Sequence, residues 1–413
     1  MAHERRNEST QLAIAMVGLP ARGKSFMAHR LRRYLGWLGY RTRVFNVGAY
    51  RRERLGAHHR EDFFAPDNED GRATREALAD AALDDLLDWM RVGGEVGIYD
   101  ATNTTRARRE RVRRRLDAAG IRVVFIESVC QDPDIIEANI RATKLVGPDY
   151  AGMDAAAALR DFRARLAHYE AVYEPMTADE SSTIRVIDAG QRIEMNGVRG
   201  YLPGKILFFL TNSHAERRPI FLSRHGESLA NVAGRIGTDP DLSPRGRSYA
   251  EALATFVRYR LDGAQPTIFT STLRRTIQTA AELHFPTTAW RALDELDAGI
   301  CDGKTYAEIA AELPDEYAAR RADKFHYRYP GGESYRDVIG RVEPMILEIE
   351  RQRRPVLVIA HQAIVRVLYA YFRELPAEEC PYLPVPLHTV IELQQAAHGL
   401  HEERHVLLSE DDI

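Results

Sequence analysis

Leu12-Ala13-Ile14-Ala15-Met16-Val17 runs directly into Gly18-Leu19-Pro20-Ala21-Arg22-Gly23-Lys24-Ser25. Six apolar residues without alternation read as a strand buried on both faces. The spacing Gly-x-x-x-x-Gly-Lys-Ser makes physical sense as a loop between that strand and a helix, which the sequence predicts from Lys24 to Leu38. The glycines let backbone N–H groups turn inward around a β-phosphate. Lys24 then reaches the outer phosphates, and the Ser25 hydroxyl is placed to ligate Mg²⁺.

Outward from this loop the pattern repeats. Arg41–Asn46, Val96–Asp100 and Ile121–Ser128 read as further buried strands, with helical runs such as Arg72–Arg91 between them. This alternation predicts an α/β fold, a mostly parallel sheet with helices on both faces. A looser stretch from Asp188 to Arg218 holds Gly190, Gly197, Gly200, Pro203 and Gly204, and places a domain junction just before Pro219. Strands then resume at Ile220–Ser223, Thr267–Thr270, Val356–Ala360 and Thr389–Gln394. The expectation is two α/β domains, 1–218 and 219–413. Four prolines between Pro376 and Pro386 predict an extended surface loop.

At 413 residues the chain exceeds one ordinary core. Lys+Arg at 57 against Asp+Glu at 60 leave a net charge of -3, so no global basic field exists to attract nucleic acid. No run approaches the roughly 18 apolar residues of a membrane span. Cys130, Cys301 and Cys380 have neither metal-ligand spacing nor an even-numbered disulfide framework, which predicts a reduced, cytoplasmic setting. His58-His59, and His401 with His405, lack further ligands at metal-binding spacing.

Asp100 ends a predicted strand beside the nucleotide loop, where a Mg²⁺-positioning carboxylate belongs; a helix cap or turn residue is the alternative. Seven arginines between Arg106 and Arg115 are a solvated helix face, a nucleic-acid contact, or a clamp for a sugar phosphate just past the Asp100 turn. Arg224-His225-Gly226-Glu227 leaves the strand Ile220–Ser223. A neutral, oriented histidine there attacks phosphorus through one ring nitrogen, and Arg224 offers a fork to phosphate oxygens. In Ser271-Thr272-Leu273-Arg274-Arg275-Thr276 the spacing points Arg275 at phosphate. Glu295 is the candidate general acid, and His361 leaves its own strand as His225 does. Two imidazoles and two guanidiniums make a clamp for a phosphoryl transition state.

Taken in order, Gly18–Ser25, Phe45–Arg52, Phe63–Glu69, Asp100–Arg109 and Phe125–Cys130 resemble the kinase domain of the bifunctional 6-phosphofructo-2-kinase/fructose-2,6-bisphosphatase family. The second half is similar to the histidine phosphatase superfamily, which includes the phosphoglycerate mutases, and more closely to that family's bisphosphatase domain. The resemblance covers roughly residues 11–395. It implies a P-loop nucleoside-triphosphate-binding fold followed by a phosphoglycerate mutase-like fold. It also implies ATP with Mg²⁺ for the first half, no cofactor for the second, and a homodimer. Arg51, Arg75, Thr102, Arg108, Arg165 and Tyr169 would hold fructose 6-phosphate, and Asn139 to Lys144 would lie along ATP, with Lys144 reaching both substrates. Cys130 matches a cysteine lining that site, although the residues around it predict only a small buried hydrophobe. Asn231, Gly237, Tyr306, Arg320, Lys324, Tyr335, Gln362 and Arg366 match positions for fructose 2,6-bisphosphate. Without the resemblance, Arg320 and Lys324 read as an i,i+4 pair on a solvated helix face.

Three departures stand out. Ser25 replaces the family's usual Thr and keeps the hydroxyl. Gly331 stands where the family has a bulkier residue, which predicts a looser substrate loop. Only about ten residues precede the first strand and the tail is brief, so phosphorylation control on long extensions is not expected. The implied function is an enzyme that makes and destroys fructose 2,6-bisphosphate and so regulates glycolysis and gluconeogenesis. The alternatives are a member with one inactive site, a polynucleotide kinase-phosphatase, and a nucleotide-binding scaffold without catalysis.

Overall fold

In the computed structural model the apolar run Leu12–Val17 is a strand, β1, with every residue buried. The structure describes residues 11–409 except for 60, 142–144, 146, 181, 214–217 and 397–398. Two compact units divide between residues 215 and 216.

The first unit is a six-stranded sheet made of β1, β2 (Thr42–Asn46), β3 (Val96–Asp100), β4 (Arg122–Val129), β5 (Thr183–Ile187) and β6 (Arg192–Asn196), in the order β2-β3-β1-β4-β5-β6. All neighbours are parallel except β5 and β6. β1 lies between β3 and β4, so no edge of it meets water, which explains its unbroken apolar sequence. One core forms where Ala13, Ala15 and Val17 meet Leu83 and Leu86 of the helix Glu69–Arg91 and Val112 and Leu116 of the helix Arg106–Ala118. Asn68 caps the first of these helices and Thr105 the second.

The stretch expected to be loose is structured. It contains the antiparallel edge strand β6 and an apolar helix, Tyr201–Thr211, whose Phe209 stacks on Tyr34 with ring centroids 4.5 Å apart. Its proline, Pro203, sits in the first helical turn, where no backbone donor is lost.

The second unit has β7 (Ile220–Arg224), β8 (Thr267–Thr270), β9 (Thr287–Ala289), β10 (Val356–Ala360), β11 (Thr389–Ala396) and β12 (Gly399–Val406), in the order β12-β11-β7-β10-β8-β9. β7, β10, β8 and β9 are parallel, and β11 and β12 close the sheet as an antiparallel pair. The proline-rich segment is less open than expected. Ala377–Tyr382 forms a short 3-10 helix, and Cys380, Pro381 and Val385 are buried. No helix among the described residues is long and apolar enough to cross a membrane.

Candidate functional sites

In the first unit the parallel strands β1, β3 and β4 end on one edge of the sheet, so the turns that follow them meet. Gly18 N–H donates to the Thr102 carbonyl at 2.9 Å, joining the loop after β1 to the turn after β3. The Ser128 hydroxyl donates to the Arg22 carbonyl, and Asn139 Nδ2 donates to the Ala21 carbonyl at 3.3 Å. Both contacts hold loop carbonyls in place. The Lys24 ammonium is buried and donates to the Leu19 carbonyl at 2.5 Å. Asp100 is buried at the end of β3 and accepts from Asn46 Nδ2, which also lies 3.5 Å from Ser25 Oγ. Thr105, not Asp100, caps the following helix, which removes the cap reading of Asp100. The Ser25 hydroxyl and the Asp100 carboxylate are hard oxygen donors of the kind Mg²⁺ takes, so this pair fits that ion, while the Asn46 amide hydrogens orient them. Cys130 is buried, and burial pushes its thiol up, as expected of an inert small hydrophobe. Lys144 lies outside the described residues.

The arginine-rich helix resolves into parts. Arg106, Arg111, Arg113 and Arg115 pair with Asp179, Asp80, Glu110 and Asp84, and the fully buried Arg109 bonds Glu180 through two contacts at 2.7 Å. A helix whose guanidiniums are committed in this way offers little to a nucleic-acid backbone. Arg108 instead approaches the Tyr99 hydroxyl. It acts on the Arg75 guanidinium, which gathers with Arg51, Arg165 and Tyr169 around the rings of Phe63 and Phe64. The Arg165 guanidinium lies 3.7 Å from the Phe64 ring centre, that of Arg51 at 5.5 Å, and Tyr169 packs on the same ring at 6.0 Å. Arg75 donates to the Phe63 carbonyl. Burial first, then Arg108 and Arg165, hold the Arg75 guanidinium below its ordinary value.

In the second unit β7 and β10 run side by side and release His225 and His361 at their ends, with ring centroids 5.1 Å apart. His225 is buried. Its Nδ1 bonds the Gly226 carbonyl at 2.7 Å, and its Nε2 lies 3.2 Å from Arg275 Nε. Only an Nδ1–H tautomer satisfies both contacts, which leaves the lone pair on Nε2. Burial, then Arg275, hold the ring well below the usual histidine range. His361 is lowered likewise by burial, Arg275 and His225. The Arg224 guanidinium is pushed down to about 10, chiefly by burial. Arg275 is turned inward, whereas Arg274 faces Asp239 and Asp241 at 3.5 and 3.3 Å. Glu295 Oε1 accepts from Leu296 N–H at 2.9 Å and from Ala363 N–H at 3.3 Å, tying it to the helix that begins at Gln362. Arg224 Nε and His361 Nδ1 are buried without a hydrogen-bond partner among the described residues. Two orphaned groups of this kind in a cluster of cations call for an anion.

Around this centre Arg320 donates to the hydroxyls of Tyr329 at 2.6 Å and Tyr306 at 2.8 Å. Its helix, Pro314–Ala322, ends before Lys324, so the two do not form an i,i+4 pair on one face. Lys324 is instead held below its ordinary value by burial, then by Arg320 and Arg366. Arg366 donates to the Tyr335 hydroxyl at 3.2 Å, and burial pushes that phenol up to about 12. Asn231 spends its side-chain oxygen on Ser228 in a capping box. Gly237 sits beside Thr238, whose carbonyl accepts from Arg275 at 2.6 Å. The loop expected to be loose is tied. Gly332 N–H donates to the Tyr329 carbonyl at 2.8 Å across a turn whose third residue, Gly331, has φ +72°. A bulkier residue would strain that turn, so Gly331 relieves it.

Four orienting residues carry no motif that assigns them a role: Asn46, Ser128, Asp149 and Ser271. Asp149 Oδ2 accepts from Arg51 at 2.5 Å and lies 3.5 Å from Arg165. Ser271 Oγ meets His361 Nε2 at 2.7 Å. Each acts across a long sequence separation, which no local pattern records.

The family described as "6-phosphofructo-2-kinase" matches residues 2–217, and "Histidine phosphatase superfamily (branch 1)" matches residues 220–407. The "6-phosphofructo-2-kinase/fructose-2,6-bisphosphatase" of Arabidopsis thaliana is 51% identical over 97% of this chain, which spans 54% of that protein's length. The "6-phosphofructo-2-kinase/fructose-2,6-bisphosphatase 3" of Homo sapiens is 46% identical over 94% of this chain and 76% of its own length. Among solved structures, the "Alpha-ribazole Phosphatase from Shigella flexneri" is 26% identical over 42% of this chain and 89% of that one, with a TM-score of 0.39. The chain joins a kinase domain to a histidine phosphatase domain and belongs to the 6-phosphofructo-2-kinase/fructose-2,6-bisphosphatase family.

Proposed function

We propose that this chain makes fructose 2,6-bisphosphate from fructose 6-phosphate and ATP in residues 1–218, and hydrolyses it through a phosphohistidine in residues 219–413. The observation that carries the reading is a neutral, buried His225 whose Nε2 lone pair faces Arg275. It stands on the same chain as a phosphate loop and a cluster of four guanidiniums.

In the kinase half, Gly18–Ser25 and Asn139 hold the nucleotide and Lys24 meets the transferring phosphate, with Lys144 reaching both substrates. Arg51, Arg75, Arg108 and Arg165 fix the sugar phosphate against Phe64, with Thr102 and Tyr169 completing the site. Ser25 and Asp100, bridged by Asn46, would hold Mg²⁺, which when bound neutralises phosphate charge. Phosphoryl transfer needs positioning and charge neutralisation more than a base, so this set suffices.

In the phosphatase half, Nε2 of His225 attacks the 2-phosphoryl group. The bond from phosphorus to the sugar oxygen breaks, and Glu295 protonates that oxygen. Water then attacks the phosphohistidine, gives its proton to Glu295, and phosphate leaves. Arg224, Arg275 and His361 surround the charge that develops. With Ser271 as the donor to His361 Nε2, the imidazole proton sits on the orphaned Nδ1 as a donor to phosphate. Tyr306, Arg320, Lys324, Tyr335, Gln362 and Arg366, with Asn231 and Gly237, hold the remainder of the sugar bisphosphate. A cytoplasmic location and a homodimer belong to the same proposal.

The test uses two variants and one label. Lys24→Ala should abolish ATP-dependent phosphorylation and leave hydrolysis intact, and His225→Ala should do the reverse. Fructose 2,6-bisphosphate labelled at its 2-phosphate should leave an acid-labile, base-stable label on the parent chain. Loss of both activities in either variant, or turnover without trapped label, would refute the scheme.

A further inference from the structure

Asp149 occupies an unusual place for a carboxylate. It belongs to the short helix Pro148–Tyr150 and reaches two of the guanidiniums assigned to the sugar phosphate, Arg51 at 2.5 Å and Arg165 at 3.5 Å. The three side chains are largely withdrawn from solvent, with exposures of 6%, 16% and 17% for Arg51, Arg165 and Asp149. Their bonding is incomplete. Arg51 Nη1, Arg165 Nε and Asp149 Oδ1 are each buried without a hydrogen-bond partner among the described residues. Two donors and one acceptor are thus left over within a single contacting group. An inorganic dianion would satisfy the two donors and meet repulsion at Oδ1, because a carboxylate offers no proton. A ligand that carries both an anion and a hydroxyl satisfies all three.

We infer that Asp149 is a specificity-determining residue of the kinase half, accepting a hydrogen bond from a sugar hydroxyl while its charge rejects dianions that lack one. The inference rests on the assignment of Arg51 and Arg165 to the substrate's phosphate. It predicts that one substitution moves two affinities in opposite directions. Asp149→Asn preserves shape and removes the charge, and Asp149→Ala removes the acceptor as well. In both, KM for fructose 6-phosphate should rise, by about tenfold for the alanine variant. Sulfate, which has no hydroxyl to donate, serves as the probe of the anion alone. Its inhibition constant in competition with fructose 6-phosphate should fall in both variants.

A purely structural role would weaken both ligands together. Parallel weakening, an unchanged sulfate constant, a lowered KM, or loss of ATP binding in both variants would each overturn the inference. A parent chain that phosphorylates no fructose 6-phosphate would instead refute the reading on which it rests.

Discussion

Protonating the phosphatase centre should destabilise the second unit, and the structure sets the size of the effect. His225 and His361 are buried, and their rings are held well below the usual histidine range, first by burial and then by the arginines around them. In the unfolded chain each returns to about 6.5. A group whose folded value is depressed in this way binds its proton more readily unfolded, so stability falls as pH drops below the unfolded value. Between about pH 7 and pH 5.5, an imidazole that stays neutral when folded loses about 1.3 kcal/mol of stability, or about 2.5 kcal/mol for the pair. The depressed carboxylates of this unit, Glu308, Asp337, Glu392 and Glu402 among them, lose their contribution at more acid pH, nearer the ordinary carboxylate range.

Trp290 is the one tryptophan in the second unit, so replacing Trp37 and Trp89 with phenylalanine makes fluorescence report on that unit alone. With a typical urea dependence of about 2 kcal/mol per molar, the unfolding midpoint should fall by roughly 1 M across that pH step. In a His225→Gln, His361→Gln variant most of the shift should vanish. His388, also lowered chiefly by burial, acts equally in both proteins and cancels. An equal pH shift in parent and double variant would refute the view that these rings are kept neutral by the fold.

Two further outcomes test the supports of each site. Ser128→Ala removes the hydroxyl that holds the Arg22 carbonyl; kinase kcat/KM should fall about tenfold while the hydrolysis rate of the same chain stays unchanged. Gly226→Ala would place a methyl 2.4 Å from the Gly246 carbonyl oxygen, a backbone atom with little room to yield. The resulting shift of His225 should lower hydrolysis by about a hundredfold, with kinase activity retained.

What the sequence reveals and what it hides follow from how local each signal is. β1 and its loop are legible because an unbroken apolar run and two glycines at fixed spacing lie within fourteen residues. His225 and His361 are legible for the same reason, since each directly follows a buried strand. β5 is hidden because Arg185 interrupts Thr183–Ile187, and only the structure shows its partner, the buried Glu127 on β4, at 2.6 Å. β12 is hidden because it is an edge strand rich in charge, as exposed edges must be to avoid pairing with other chains. Its groups are matched from elsewhere: Glu402 by Arg373 and the Tyr369 hydroxyl, His405 by Glu392 on the facing strand.

The candidate sites divide in the same way. Asp100, His225 and His361 stand at or just past strand ends, where a strand-loop-helix pattern announces them, whereas Arg75, Arg165 and Arg320 stand inside helices that carry no such pattern. The contacts that orient them are long-range: Asp149 lies 98 positions from Arg51, Ser271 lies 90 from His361, and Ser128 lies 106 from Arg22. A serine or aspartate satisfies its hydrogen bonds with whatever the fold brings near, so its own neighbours in sequence carry no trace of the contact. Motifs therefore locate the candidate chemistry of both halves, whereas the contacts that orient it come from partners that only the folded chain brings together.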